Sequence, residues 1–224
     1  MLFRESWRAL FRAVRAERRV PTRRPVALTP VPTKPTVEAP RCIVLGIDPG
    51  TRVVGYGALV DGAKGPRLYA AGVLRGARDA DVPARLAQIR RELDELIAKL
   101  TPTVVVVEMA FMARNVQSAL RMGEGRGVVL ACAAAVGAEV VQLAPAVAKK
   151  ALVGHGAADK TQVARMVARV LGVTEIDLPL DATDALALAL AHLQRRRMDV
   201  LSATARRSAA APGVTIRSLP RGRS

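Results

Sequence analysis

The spacing between apolar segments constrains the fold of this chain more than any other feature. Three apolar segments, 42–48, 52–60 and 67–75, are separated by short polar stretches, which predicts three strands joined as antiparallel hairpins. We place turns at Asp61-Gly62 and Gly65-Pro66. Beyond the third segment, helical patterns separate the apolar strands, so the later strands are expected to pair in parallel.

The rest of the pattern alternates helices with apolar strands. The segment T-P-T-V-V-V-V-E, 101–108, is a continuous apolar run typical of a buried strand, and it should lie parallel to the first. The further elements predicted from apolar spacing are helices over 82–100, 115–136, 145–153, 160–171 and 181–196 and a strand over 139–143. Together they predict an α/β fold, a mixed five-stranded sheet flanked by helices on both faces.

Charge separates the core from the two ends of the chain. Of the formal net charge of +16, residues 1–41 and residues 195–224 each carry +7, which leaves +2 for residues 42–194. A nucleic-acid site in the core must therefore be a local basic patch.

Both basic ends are expected to lie outside a folded core of 42–196. Residues 1–41 combine a basic amphipathic start with six prolines over 21–40, which predicts a disordered extension. The Arg-rich start also fits a transit peptide, or a start codon placed too far upstream. Residues 197–224 are polar and Arg-rich and contain two prolines, which predicts a disordered tail.

The cysteines and the hydropathy pattern bear on the cellular compartment. Cys42 and Cys132 lie far apart without C-x-x-C spacing, which fits reduced thiols in a cytoplasmic protein. No apolar stretch is long enough for a transmembrane helix, so we expect no membrane partner.

Two carboxylates end predicted strands. Asp48 closes the first strand before Pro49 and Gly50, and Glu108 follows four valines. The carboxyl ends of parallel strands share one edge of a sheet, so the two side chains meet if their strands are neighbours. Asp48 alone also suits a turn, whereas no turn preference accounts for Glu108.

Two further acids occur late in the chain. D-A-T-D, 181–184, places Asp181 and Asp184 on one face of a first helical turn. Alone, Asp181 also suits an N-cap, and Asp184 a favourable position in the helix dipole. Four converging carboxylates require a cation, and hard oxygen ligands without His or Cys select Mg²⁺ or Mn²⁺. Jointly the four acids predict a metal-dependent phosphoryl-transfer site.

Four segments of the core resemble motifs of the RuvC family of Holliday junction resolvases. The segments are G-I-D-P-G-T-R-V-V-G-Y-G, E-M-A-F-M-A-R-N (108–115), V-G-H-G-A-A-D-K-T-Q-V (153–163) and D-A-T-D-A-L-A-L-A (181–189). The resemblance covers about residues 42–196 in one order. The first motif alone also resembles a loop of actin-like ATPases, whereas the four together are specific.

The resemblance implies an RNase H-like fold and an endonuclease that cuts four-way DNA junctions by paired symmetric nicks, in recombination and DNA repair. It implies a homodimer with its contact on the helix after Asn115, and branch-migration motor proteins as partners. It also implies two Mg²⁺ ions per subunit, with Mn²⁺ as a substitute. Their ligands would be Asp48, Glu108, Asp181 and Asp184, and which of the last two is essential stays open.

Five other residues take DNA-binding roles from the resemblance. Phe111 is expected to stack against unpaired junction bases, and its alternative is an ordinary core aromatic. Lys149 and Lys160 match lysines near the scissile phosphate, and the alternative for each is a solvated helix face. Arg114 and Lys150 are expected contacts to the DNA backbone.

Other functional classes are weighed against a junction resolvase. A sugar-kinase or actin-like ATPase needs a second phosphate loop and a second half-domain, for which the chain is too short. A non-catalytic junction-binding protein would be marked by loss of an acid, and all four acids are present. Another RNase H-like nuclease, acting on RNA or flaps, is separated from a resolvase only by the resemblance.

Overall fold

Five strands and five helices form the part of the chain that the computed structural model describes, residues 42–109, 116–173 and 177–209. The strands are β1 (Ile43–Asp48), β2 (Val53–Gly62), β3 (Gly65–Arg75), β4 (Val104–Glu108) and β5 (Glu139–Leu143). The helices are α1 (Val82–Leu100), α2 (Val116–Ala135), α3 (Pro145–Val153), α4 (Lys160–Leu171) and α5 (Leu180–Ala209).

The strands form one mixed sheet in the order β3-β2-β1-β4-β5. The β1–β2 and β2–β3 pairs are antiparallel, and the β1–β4 and β4–β5 pairs are parallel. Ile47 lies opposite Val107 in the parallel β1–β4 ladder, so Asp48 and Glu108 follow at the same edge. The change from hairpins to parallel crossovers confirms the predicted fold class.

Each face of the sheet has its own apolar core. Ile43, Leu45 and Ile47 of β1 pack with α1 and α2 on one face. Val44 packs on the other face with α3, α4 and α5, together with Val104 and Val106 of β4. The alternation follows from the two-residue period of a strand, and it confirms helices on both faces.

The turn between β2 and β3 differs from the prediction. Gly62 pairs with Gly65, so the turn residues are Ala63 and Lys64, and the predicted turn pairs Asp61-Gly62 and Gly65-Pro66 belong to the strands. Gly65 has φ +120°, a backbone conformation that glycine adopts without strain. The hairpin is therefore longer and tighter than the sequence indicated.

The end of the last helix also corrects a prediction. We expected that helix to end at residue 196 and the chain to be disordered from residue 197, but α5 continues to Ala209. The sequence contains neither Gly nor Pro between residue 180 and residue 212, so no helix stop occurs there. Arg197 donates to Asp61 of β2 at 2.5 Å and holds this part of α5 to the hairpin.

Residues 1–41, 110–115, 174–176 and 210–224 lie outside the described residues, so the predicted extension and the remainder of the tail stay predictions. Cys42 and Cys132 are both free thiols. Within the described ranges, no helix has the length and apolar character needed to cross a membrane.

Candidate active site

The two strand-end acids lie side by side on the face of the sheet that α5 covers. Asp48 is in phase with Val44 on β1, and Glu108 is in phase with Val104 and Val106 on β4. The Asp48 and Glu108 carboxyls lie within hydrogen-bonding reach of each other. Neighbouring parallel strands therefore bring the two acids together, as the sequence predicted.

Three glycines on the same face let α5 approach the sheet. A Cβ at Gly46 would lie 1.9 Å from the carbonyl oxygen of Ala185, and one at Gly55 would lie 2.0 Å from that of Asp181. At Gly57 an added Cβ would lie 2.6 Å from Leu186 Cγ. The backbone of α5 thus rests on the backbone of β1 and β2, which brings the D-A-T-D turn to the acidic edge. No role was predicted for these glycines, although Gly55 and Gly57 alternate as residues on one strand face do.

Lys160 reaches the third acid from another helix. Its ammonium donates to Asp184 Oδ2 at 2.9 Å. Lys160 is the first residue of α4, which begins with a capping box between Asp159 and Gln162. The cap fixes the start of α4, and the lysine therefore projects toward α5.

These groups line one cleft of about 240 Å³. Its charged walls are Asp48, Glu108, Asp184, Lys149 and Lys160, and its apolar walls are Pro145, Ala148, Val163, Ala187 and Leu188. Asp181 does not line the cleft, but its charge acts on Asp48. The structure thus brings together three of the four predicted acids and two of the three predicted lysines.

Burial and the crowding of like charges raise the pKa values of two carboxyl groups in the cleft. Burial, followed by the charges of Glu108 and Asp184, raises the pKa of Asp48 to about 7. Burial also raises the pKa of Glu108, whereas the ammonium groups of Lys160 and Lys149 oppose that rise. The ion pair with Asp184 raises the pKa of Lys160. The carboxyls thus lack a full set of compensating cations.

The donor set fits a divalent cation once its present bonds are exchanged. Asp48 lies within hydrogen-bonding reach of Glu108, and Asp184 accepts a hydrogen bond from Lys160. As these side chains stand, no three acidic, imidazole or thiol groups among residues 42–109, 116–173 and 177–209 are arranged to hold an ion. The groups available are carboxylate oxygens alone, the ligands that Mg²⁺ and Mn²⁺ prefer. A cation would replace the shared proton and the Lys160 ammonium as the partner of these oxygens.

The remaining predicted residues fall in different places. Lys150 is exposed on α3 and is not a wall of the cleft. Phe111 and Arg114 lie outside the described residues. In α2, Gly125 packs on the loop after Asp48, because an added Cβ would lie 2.8 Å from the Gly50 carbonyl.

Arg126 of α2 reaches the acidic edge, and sequence analysis did not identify it. Its Nε donates to the backbone carbonyl of Glu108 at 3.3 Å, and its Nη2 donates to the side chain of Gln142 on β5. The available signal was a single arginine among glycines in G-E-G-R-G, which alone does not indicate a contact with a strand end.

Comparison with known proteins places this arrangement in one family. The sequence model described as Crossover junction endodeoxyribonuclease RuvC matches residues 44–192. A protein of that name from Solidesulfovibrio magneticus is 45% identical over 156 residues, which are 70% of this chain and 92% of that protein. One from Chlorobaculum parvum is 43% identical over 153 residues, or 68% of this chain and 82% of that protein.

Solved structures agree with the sequence comparison. The structure of Thermus thermophilus RuvC matches with a TM-score of 0.65 at 34% identity, covering 70% of this chain and 96% of that one. The T. thermophilus RuvC in complex with a Holliday junction substrate matches with a TM-score of 0.63 at 31% identity and the same coverage. The yeast mitochondrial resolvase Ydc2, at 14% identity and a TM-score of 0.57 over 77% of this chain and 87% of that one, supports the fold alone. The chain therefore belongs to the RuvC family of crossover junction endodeoxyribonucleases.

Proposed function

We propose that this protein is a Holliday junction resolvase, an endonuclease that separates four-way DNA junctions by paired symmetric nicks during recombination and repair. The observation that carries the proposal is the single cleft in which Asp48, Glu108 and Asp184 face Lys149 and Lys160. Membership of the family and the likeness to RuvC bound to a junction support the substrate. All residues to which we assign a role in junction cleavage lie within residues 44–192, the part that the family model matches.

The acids would hold two divalent ions per subunit, Mg²⁺ or Mn²⁺ in its place. Asp48, Glu108 and Asp184 point into the cleft, and Asp181 adds negative charge beside Asp48. When bound, two such ions supply an activated water for in-line attack on the phosphate and stabilise the leaving 3′ oxygen. In the proposed reaction the products carry a 5′-phosphate and a 3′-hydroxyl. Asp184 is the better candidate than Asp181 for the essential ligand, because it lines the cleft.

The two cleft lysines would hold the scissile phosphate. Lys160 and Lys149 both lie close enough to Glu108 to oppose the rise of its pKa. A phosphodiester entering the cleft would take these ammonium groups as partners. Lys160 would then release Asp184 to a metal ion, so substrate binding and metal binding would support each other.

Paired nicks require two active sites, and we propose a homodimer that joins through α2. Residues 116–124 of α2 are all exposed, among them Val116 and Leu120. An added Cβ at Gly123 or Gly127 would meet no atom within 4 Å, so these positions leave room for a partner helix. Two related subunits place two cuts symmetrically across a junction.

The proposal also includes further DNA contacts and a cellular setting for the protein. Phe111, in the segment between β4 and α2, would stack on unpaired bases, and Arg114 and Lys150 would contact the DNA backbone. The two free thiols fit the reducing cytoplasm, where a resolvase would meet branch-migration motor proteins.

A nicking assay on a synthetic, mobile four-way junction tests the proposal. We expect symmetric paired nicks by the wild type in Mg²⁺, none in EDTA and none on a linear duplex of the same sequence. Asp48→Asn should bind the junction but lose more nicking activity than the loss of about 10–100-fold typical for removal of a partner of a metal ligand, since a ligand itself is lost. Tight junction binding without nicks in any divalent ion would support a non-catalytic junction-binding protein instead. Nicks on flaps or RNA but not on junctions would support another RNase H-like nuclease.

A further inference from the structure

One turn of α2 contacts backbone atoms close to both strand-end acids, Asp48 and Glu108. The preceding part of the helix, residues 116–124, is exposed, and its first buried residue is Gly125. Gly125 lies against Gly50 and Thr51, which follow Asp48 by two and three residues. The next residue, Arg126, donates to the Glu108 carbonyl. Two successive residues of one helix therefore contact the loop after β1 and the end of β4.

Arg126 also joins β4 to β5 at the same edge. Its guanidinium bonds both the Glu108 carbonyl and the Gln142 side chain, and Gln142 stands opposite Val107 in the β4–β5 ladder. Just beyond, the Met109 amide donates to the Leu143 carbonyl at 2.8 Å. The peptide that carries Glu108 is thus held on both sides. A planar guanidinium can hold two acceptors at a fixed angle, which an ammonium cannot.

We propose that Arg126 is a positioning residue for Glu108, which sets the geometry in which that carboxylate meets a divalent ion. This inference rests on the proposed function of the cleft. Arg126 touches the backbone of Glu108 and not its carboxylate, so it acts through the position of the side chain. Partners of metal ligands commonly affect metal affinity or activity by about 10–100-fold when removed.

The test is the affinity of the purified full-length protein for Mn²⁺ alone, without DNA, in wild type and Arg126→Gln. We expect Arg126→Gln to bind Mn²⁺ about 10-fold or more weakly, in the range found for partners of metal ligands. Its Mg²⁺ requirement for nicking should rise in parallel, and junction binding in EDTA should stay as in wild type. Arg126→Lys should restore part of the affinity, and Gln142→Ala should lose part of it.

Arg91→Gln is the matched control, because Arg91 is exposed on α1 and its loss changes the net charge equally. Wild-type Mn²⁺ affinity in a folded Arg126→Gln protein would overturn the inference. So would a loss of junction binding in EDTA with unchanged Mn²⁺ affinity, since Arg126 would then be a DNA contact. If Arg126→Gln does not fold, Arg126→Lys and Gln142→Ala decide the matter by the same criterion. A wild-type protein that binds Mn²⁺ but never nicks junctions would refute the proposed function. The Mn²⁺ affinities of wild type and Arg126→Gln could still be compared, so the role of Arg126 would be tested separately.

Discussion

The two faces of strand β1 are built from different side chains and serve different ends. Leu45 and Ile47 point to one face, where they are fully buried against α1 and α2. Gly46 points to the other face, and its missing side chain leaves room for the backbone of α5. The bulky face stabilises the fold by burying apolar area. The other face, which we call the glycine face, carries Gly46 of β1 with Gly55 and Gly57 of β2. These glycines bury no side chains, but they let α5 lie close enough to place Asp184 beside the strand-end acids.

Among changes to the two faces of β1, filling the position of Gly46 should have the largest effect on nicking. In Gly46→Ala the new Cβ would lie 1.9 Å from the Ala185 carbonyl, so α5 must move. Overpacking costs about 1–3 kcal/mol of unfolding free energy. A displacement near 1 Å at the site would slow junction nicking about 100-fold.

Leu45→Ala is the matched change on the opposite face. Leu45 is fully buried, and its truncation should cost about 2–5 kcal/mol in a denaturant melt. Nicking per folded molecule should stay close to wild type, because α5 and its acids keep their place. The comparison fails if Gly46→Ala nicks at the wild-type rate, or if Leu45→Ala slows nicking as much as Gly46→Ala does.

A smaller effect concerns the stability of the metal-free protein and its dependence on pH. The pKa of Asp48 is raised from 3.8 to about 7 in the folded protein, so the folded state binds more protons than the unfolded chain between these values. Stability therefore falls as the pH rises through this window. Asp48→Asn removes the charge, and its melting temperature in EDTA should exceed that of wild type at pH 8 and match it near pH 4. A gain of about 1 kcal/mol corresponds to about 2–4 °C.

Asp79→Asn, in the exposed loop before α1, is the control for loss of a negative charge. It should leave the difference between pH 4 and pH 8 unchanged. An Asp48→Asn protein that melts below wild type at pH 8 would contradict the expectation that the Asp48 charge destabilises the metal-free fold.

The smallest effect should follow from removing the lysine that pairs with Asp184. The Lys160 side chain is 64% exposed, and exposed ion pairs contribute about 0–1 kcal/mol, so Lys160→Gln should melt close to wild type. Because the ammonium competes with metal for Asp184, Mn²⁺ affinity without DNA should rise about two- to fivefold, the equivalent of such a pair. Nicking should still fall, because a phosphate partner is lost. Lys99→Gln, at an exposed position of α1, controls for net charge. Weaker Mn²⁺ binding by Lys160→Gln would contradict the competition.

The strands and the acids at their ends could be predicted from the sequence because local patterns determine both. A continuous valine run followed by Glu108, and a short apolar run followed by Asp48, mark strand ends without any knowledge of their neighbours. The start of α4 was equally local, because Asp159 and Gln162 form its cap.

What the sequence could not supply depends on contacts between distant segments. Lys160 and Asp184 lie 24 residues apart, and their ion pair exists only because α4 and α5 pack on the same face. The close approach of Gly46 to Ala185 and the bond from Arg126 to Glu108 are equally nonlocal. The extension of α5 to Ala209 was missed because composition, read as disorder, was given more weight than the absence of a helix stop.

The most direct test of the central claim is the number of Mn²⁺ ions that the protein binds, measured by titration calorimetry with wild type and Gly46→Ala. If the glycine face brings the α5 acids to the strand ends, wild type should bind two ions per subunit. Gly46→Ala, still folded by circular dichroism, should then lose at least one of the two. Equal binding by both proteins, or no saturable binding by the wild type, would contradict the claim that the close packing of α5 on this face assembles a metal site.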